Sequence, residues 1–290
     1  MAGVNAITVD AADEAHAREA VDAAIADVLR IEAKYSRYRD DSVTTSINRA
    51  AGRNEVAIDA ETSALLRYAD RCHALSQGRF DITSGVLRRA WDFRRKPARI
   101  PDPGEIESLL GLIGWQHVRC SDDAVRLAKP GMELDFGGIG KEYAADRAAT
   151  ILQEKGIAHC LVNLGGDVRA TGGQANGTPW HVGIRHPREP EPAVIASVDV
   201  TDGAIATSGD YERFFEHAGR RYCHVLDART GRPVTTWQSM SVIAPLAVLA
   251  GSCATIAMLL EDDAIGFLEQ QGVGWLGVDA GGEVRGRGLS

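Results

Sequence analysis

The chain contains no CxxC pair, and its five cysteines (Cys72, Cys120, Cys160, Cys223 and Cys253) are odd in number and widely spaced. This argues against a disulfide framework and a cysteine-based zinc site, and reduced thiols are the plain reading. Basic excess is missing too: 40 Asp and Glu outweigh 32 Lys and Arg, for a formal net charge of −8. A nucleic-acid backbone would favour a basic face, so no such partner is expected. A small nucleotide in a locally positive pocket remains compatible with this balance. The opening MAGVNAITVDAADEAH lacks a basic region followed by an apolar run, so no signal peptide is read and a cytoplasmic location is expected. Fixed-period repeats, low-complexity tracts and Pro-, Gly- or Ser-rich linkers are also missing, so a single unit over residues 1–290 is expected. One long uncharged run, 237–260, invites a membrane test. Gln238, Pro245, Gly251, Thr255 and three serines make it too polar for a span. It reads instead as a buried strand at 241–244 and a helix opening at Pro245, with no membrane span.

What is present is ordinary for a globular protein: 44% apolar and 25% charged residues over 290 positions, enough for a large core. Spacing predicts an amphipathic helix over 11–35, with Ala17, Val21, Ile25, Val28 and Tyr35 near one face. A second helix should start after Asp59 as N-cap and end at Gly78. Residues 93–105 read as a loop before a short helix at 105–112. The stretches 125–127 and 133–136 read as a hairpin turning through Pro130 and Gly131. Further helices are expected at 141–155, 247–260 and 263–271, and strands at 160–164, near 180–184 and at 194–200. The fold class is α/β (α+β), with largely antiparallel sheet flanked by helices, in as many as two lobes.

Chemistry concentrates in ELDFGGIGKEYAADRA, residues 133–148. Leu134 and Phe136 alternate with charged neighbours as in a half-buried strand, and Gly137, Gly138 and Gly140 allow the backbone close to a ligand. Amides at the start of the following helix point outward with partial positive charge, and Lys141 adds a full one, so this turn can hold an anion. It is neither a P-loop nor a GxGxxG turn. Four more segments interrupt a strand or helix edge with small and polar residues: YSRYRDDSVTTSINRA, GRFDITSGVL, LVNLGGDVRATG, and IATSGDYERFF followed by YCHVLDARTGRPV.

In this order and spacing, the motifs at 36–48, 80–85, 135–146, 163–167, 207–211 and 224–233 resemble those of the ApbE family, the FAD:protein FMN transferases. The resemblance covers residues 5 to 270 or so and implies an ApbE-like fold with FAD in a central cleft. It implies transfer of FMN from FAD to a Thr or Ser hydroxyl of an acceptor flavoprotein, with release of AMP. Such a transfer needs phosphate charge neutralised, the hydroxyl aligned and its proton accepted.

For the proton, His224 matches the family histidine and has an ordinary pKa near neutrality. Asp227 reads as turn support, or as an orienting partner for His224. Thr207, Ser208 and Gly209 offer hydroxyls and amides to a phosphate, and Tyr211 an aromatic face; a strand-end turn explains the same residues. Asn163, Gly165, Gly166 and Asp167 fit a nucleotide pocket or a tight turn. Tyr38, Asn48, Asp81, Thr83, Asp135, Gly138 and Lys141 are carried over as residues of the FAD cleft.

The resemblance also implies Mg²⁺, held by a backbone carbonyl, here Gly140, and by an Asp and a Thr spaced i, i+4 on one helix face. Thr255 stands at the second position, but Gly251 stands where the Asp belongs. The family glycine after Lys141 is Glu142. Weaker or altered metal binding is expected, with Asp135, Glu142 or the FAD phosphates as candidate compensation, and Gly251→Asp is expected to lower the Mg²⁺ requirement. Two further readings are an FAD pyrophosphatase, with water in place of the acceptor, and a non-catalytic FAD-binding protein.

Overall fold

The computed structural model describes residues 3–190 and 192–288. Seven strands form an antiparallel sheet in which spatial order equals chain order: β1 (Asn5–Val9), β2 (Cys160–Leu164), β3 (Asp167–Thr171), β4 (Gly203–Gly209), β5 (Trp237–Ala244), β6 (Gly274–Asp279) and β7 (Val284–Arg287). The β2–β3 connection is the Gly165-Gly166 pair, whose φ angles of 60° and 95° suit a two-residue hairpin that follows the natural strand twist. Asn163 steadies this turn by accepting from the Gly166 amide through Oδ1 at 2.9 Å.

Everything else is inserted between those strands. Helices α1 (Glu14–Tyr35), α2 (Val43–Ala50), α3 (Ala60–Leu75), α4 (Pro103–Leu110) and α5 (Gly140–Glu154) lie between β1 and β2. A hairpin, Trp180–Arg185 with Val194–Val200, separates β3 from β4, and two short ribbons carrying residues 214–233 separate β4 from β5. Helices α6 (Ala247–Leu260) and α7 (Ala264–Gln271) join β5 to β6. On one sheet face pack α5 and α6, with α1 against α5. On the other, Trp180, Ile184, Val198 and Val200 of the inserted hairpin cover Val168, Ile205, Leu276 and Val278.

Local sequence explains the helices. Asp13, Ser42 and Asp59 cap α1, α2 and α3 by accepting backbone amides of the first turn, and Pro103 opens α4 while Glu105 reaches back to the Asp102 amide at 2.9 Å. Buried alanines, Ala17, Ala20 and Ala24 on α1 and Ala144, Ala145, Ala148 and Ala149 on α5, let those two helices approach closely. Helix α6 is buried almost all round, and its start is capped from another helix: Asp146 accepts from Ala247 N at 2.8 Å and from Val248 N at 2.9 Å.

Three expectations change. The uncharged run divides into β5 and α6, with Pro245 between them instead of opening the helix; no helix among the described residues is long and apolar enough to cross a membrane. The predicted hairpin is not formed: the strand Ala124–Leu127 pairs with Val118–Cys120 and Val56–Ala57. Residues 133–136 are not a strand, because other groups take their backbone. Asn48 brackets Leu134, accepting its N–H at 2.6 Å and donating to its carbonyl at 3.0 Å, while Asp135 N donates to Ile82 O at 2.8 Å.

Candidate active site

The chain reverses at Phe136–Gly138 and enters α5 through Ile139, with no side chain capping the first turn. Amides there face outward with the positive end of the helix dipole. Lys141 stands in that turn with Nζ 2.7 Å from Asp167 Oδ2 and 3.4 Å from the Gly165 carbonyl. Burial works to lower the ammonium pKa, but the Asp167 and Glu142 carboxylates outweigh it, and the pKa is raised. Asp167, buried at the start of β3, also accepts from Thr207 N of β4 at 3.3 Å. The β2–β3 turn, the end of β4 and the start of α5 are thereby joined.

Thr207 and Ser208 point to opposite faces, as neighbours in a strand must. Thr207 Oγ1 lies 2.7 Å from Ser241 Oγ on β5, and Ser208 Oγ lies 2.7 Å from Thr255 Oγ1 on α6. Gly209 has a steric reason: a Cβ there would lie 2.4 Å from the Tyr211 ring. That ring carries the Arg185 guanidinium 4.6 Å from its centroid.

His224 follows the ribbon strand Arg220–Cys223, its amide donating to Arg213 O at 3.0 Å. The residue as a whole is half-buried, and its Nδ1 is buried with no hydrogen-bond partner. Burial first, then the Arg213 charge and, more weakly, that of Lys141, push its pKa down to about 3. The imidazole is therefore neutral near neutrality, the form that accepts a proton. Asp227 acts in the turn: it accepts from Arg79 Nη1 at 2.9 Å and from Arg229 N at 2.8 Å, while its carbonyl accepts from Gly231 N at 2.7 Å.

The other sequence-predicted residues are placed differently. Asp81 accepts from Thr83 N and Oγ1 through one oxygen and from Trp115 N through the other, and Thr83 Oγ1 accepts from Gly114 N at 2.8 Å. Both side chains are engaged in holding backbone. Asn48 is engaged likewise with Leu134. Asp135 caps the 136–138 turn through Gly137 N and pairs with Arg37. Tyr38, 73% exposed, lies under that same Arg37 and accepts from its Nη2 at 2.9 Å. Gly138 lets the Phe80 ring close in, 3.2 Å from where a Cβ would be. Gly140 is the first residue of α5, and Asn163 and Gly165 form the β2–β3 turn beside Lys141.

Glu142 is the residue that sequence reasoning left ambiguous. It is buried in the first turn of α5; burial, then the Asp167 carboxylate, push it up to about 8, against Lys141. Its side chain fills the space beside Gly251: a Cβ on residue 251 would lie 2.5 Å from Glu142 Cγ. The expectation for Gly251→Asp is corrected accordingly, since the aspartate would collide with Glu142 before reaching any ligand. Arg213 and Asp146 were not singled out for their contacts with His224 and α6. Nothing local in the sequence marks Arg213, whereas Asp146 closes the 135–146 motif. Among the described residues, no three His, Cys, Asp or Glu side chains cluster to hold a metal by themselves.

Known proteins resemble the chain in sequence and in fold. The chain is 36% identical over 232 residues to the FAD:protein FMN transferase of Salmonella typhimurium, covering 78% of this chain and 66% of that protein. It is 32% identical over 232 residues to that of Escherichia coli K12, with the same coverage of 78% and 66%. The chain thus spans a little under two thirds of the length of these curated relatives. Among solved structures, the ApbE protein of Thermotoga maritima matches with a TM-score of 0.88 at 32% identity, over 97% of this chain and 93% of that one. The flavin transferase ApbE of Vibrio cholerae matches with a TM-score of 0.83 at 25% identity, over 99% and 97%. The profile of the ApbE family itself matches residues 3–274, and with that match over most of its length and the same fold as these solved structures, the chain belongs to the ApbE family.

Proposed function

We propose that this chain transfers FMN from FAD to a Thr or Ser hydroxyl of an acceptor flavoprotein and releases AMP. The observation that carries this reading is the gathering of Lys141, Asp167, the Thr207 amide and the Ser208 hydroxyl, with His224 nearby, around the uncapped start of α5. The names of the relatives support it. The α5 amides and Lys141 neutralise the FAD pyrophosphate, with the Lys141–Asp167 contact fixing the ammonium in place. The acceptor oxygen attacks the FMN-side phosphorus, the P–O bond to AMP breaks, and AMP leaves with the electron pair. His224, neutral and near Lys141, takes the hydroxyl proton; the incoming phosphate charge raises its basicity toward the range useful at neutral pH.

A Mg²⁺ ion fits the donor set. Glu142 Oε2 is a buried carboxylate oxygen with no partner, and the surrounding donors are hard oxygens, the kind this ion takes together with phosphate and water. The Gly140 carbonyl and the Thr255 hydroxyl would hold it. Bound there, it supplies charge neutralisation at the transferred phosphate.

The test is intact-mass analysis of a flavoprotein carrying a Thr flavinylation sequence after incubation with the chain, FAD and Mg²⁺, with AMP followed in parallel. One FMN gained per acceptor is the expected result. AMP without an adduct would mean hydrolysis, and retained FAD with neither product would mean binding alone; either sinks the transferase reading. A cytoplasmic location belongs to the same proposal, and acceptor labelling in a cytosolic fraction checks it.

A further inference from the structure

One oxygen of the Glu142 carboxyl group is not satisfied by its protein neighbours. The residue is 7% exposed, and Oε2 is buried without a hydrogen-bond partner. A carboxylate oxygen left so is costly unless a cation or donor meets it. Asp167, also buried, is close enough to act on it, and the nearby Lys141 already sits 2.7 Å from Asp167. Two buried carboxyl groups thus lie near one ammonium, which pairs with Asp167.

The same side chain explains a glycine. A Cβ on Gly251 would lie 2.5 Å from Glu142 Cγ and 3.1 Å from both Cδ and Oε1, so the Glu142 side chain occupies the volume that any side chain at 251 would need. Thr255 is one turn further along α6, on the face Glu142 approaches.

We infer that Glu142 is the acidic metal ligand of this chain, delivered from the first turn of α5 into the space an aspartate on α6 would otherwise fill, and that residue 251 is glycine to admit it. The inference rests on the proposed Mg²⁺-assisted reading. Glu142 and Gly251 are then one reciprocal exchange: the carboxylate has moved from one helix to the other while the ion keeps its place beside Thr255.

The test is a titration of the purified chain with Mn²⁺ as a Mg²⁺ substitute, read by the electron paramagnetic resonance of free Mn²⁺, with and without FAD, alongside melting of the metal-free protein. Glu142→Gln keeps the shape and removes the charge, and should weaken Mn²⁺ by about 10-fold or more without lowering the metal-free melting temperature. Gly251→Asp alone should lower that temperature by overpacking. Glu142→Gly combined with Gly251→Asp should recover both the melting temperature and Mn²⁺ affinity. Wild-type affinity in Glu142→Gln, or a double variant binding no better than Glu142→Gln, overturns the ligand assignment alone. A wild-type chain that binds no Mn²⁺ even with FAD overturns both the assignment and the metal part of the proposed function, while FMN transfer is judged separately by mass.

Discussion

Replacing Asp146 by alanine should destabilise the protein through a helix on which Asp146 does not lie. Asp146 belongs to α5, yet its two carboxylate oxygens accept from Ala247 N and Val248 N, at 2.8 and 2.9 Å, at the start of α6. The residue at the N-cap position of α6, Leu246, has no side-chain acceptor to offer. Hydrogen bonds to a charged group contribute about 1.5–3 kcal/mol each, and losing a side-chain cap costs about 0.5–2 kcal/mol in all. Burial pushes the Asp146 carboxyl pKa up despite both amides, so part of the gain is spent on desolvation. A net loss of about 2–3 kcal/mol is expected, which for a chain of this size lowers the melting temperature by roughly 4–10 °C. Asn, which keeps one acceptor, should fall about midway. Urea melts give the energy, and hydrogen exchange at Ala247 and Val248 gives the location. A loss below about 0.5 kcal/mol, or faster exchange spread evenly over the molecule, would refute the cap.

Three other outcomes follow from contacts described above. Because His224 has a folded-state pKa near 3, below the ordinary 6.5, the unfolded chain binds the extra proton first on acidification. Its contribution to stability therefore falls as pH drops from 6.5 toward 3, by no more than about 2.7 kcal/mol between pH 6.5 and 4.5. His224→Asn should flatten that slope in urea melts, and an unchanged slope rejects the buried neutral ring. Asn48→Ala leaves the buried Leu134 amide and carbonyl unpaired and should cost about 2–4 kcal/mol in chemical denaturation. FAD affinity of the folded fraction, measured alongside, should stay the same if Asn48 acts through Leu134 alone, and a large change would show direct contact with FAD. Gly209→Ala puts a methyl 2.4 Å from the Tyr211 ring and should cost about 1–3 kcal/mol. Adding Tyr211→Ala should recover most of the overpacking loss, and additive losses would show that the ring is not the obstacle.

The helices were legible because their signals are local: Asp59 caps as its position suggests, and the stretch after Lys141 forms α5. The Gly165-Gly166 turn was legible for the same reason. Residues 133–136 were not. Their alternation suggested a strand, but Asn48 and Ile82, distant in sequence, take the backbone groups that a neighbouring strand would have used. Motif membership brought Lys141, Asp167, Thr207 and Ser208 into one region. It did not distinguish them from Asp81, Thr83 and Asn48, whose side chains are bonded to backbone. The exchange at 142 and 251 was present as two separate departures from the family pattern. Only packing of α5 against α6 shows that the two side-chain volumes compete.

The sheet order has a consequence for how the chain emerges from a ribosome. Strands β2 to β7 each follow a partner already made, but among the described residues β1 pairs only with Cys160–Leu164, synthesised about 150 residues later. At about 5–20 residues per second, Asn5–Val9 waits roughly 8 to 30 s with its backbone unpaired. During that interval five helices leave the tunnel, and the strand is an open edge on an unfinished protein. Of the seven strands, β1 is thus the one that stays longest without its neighbour.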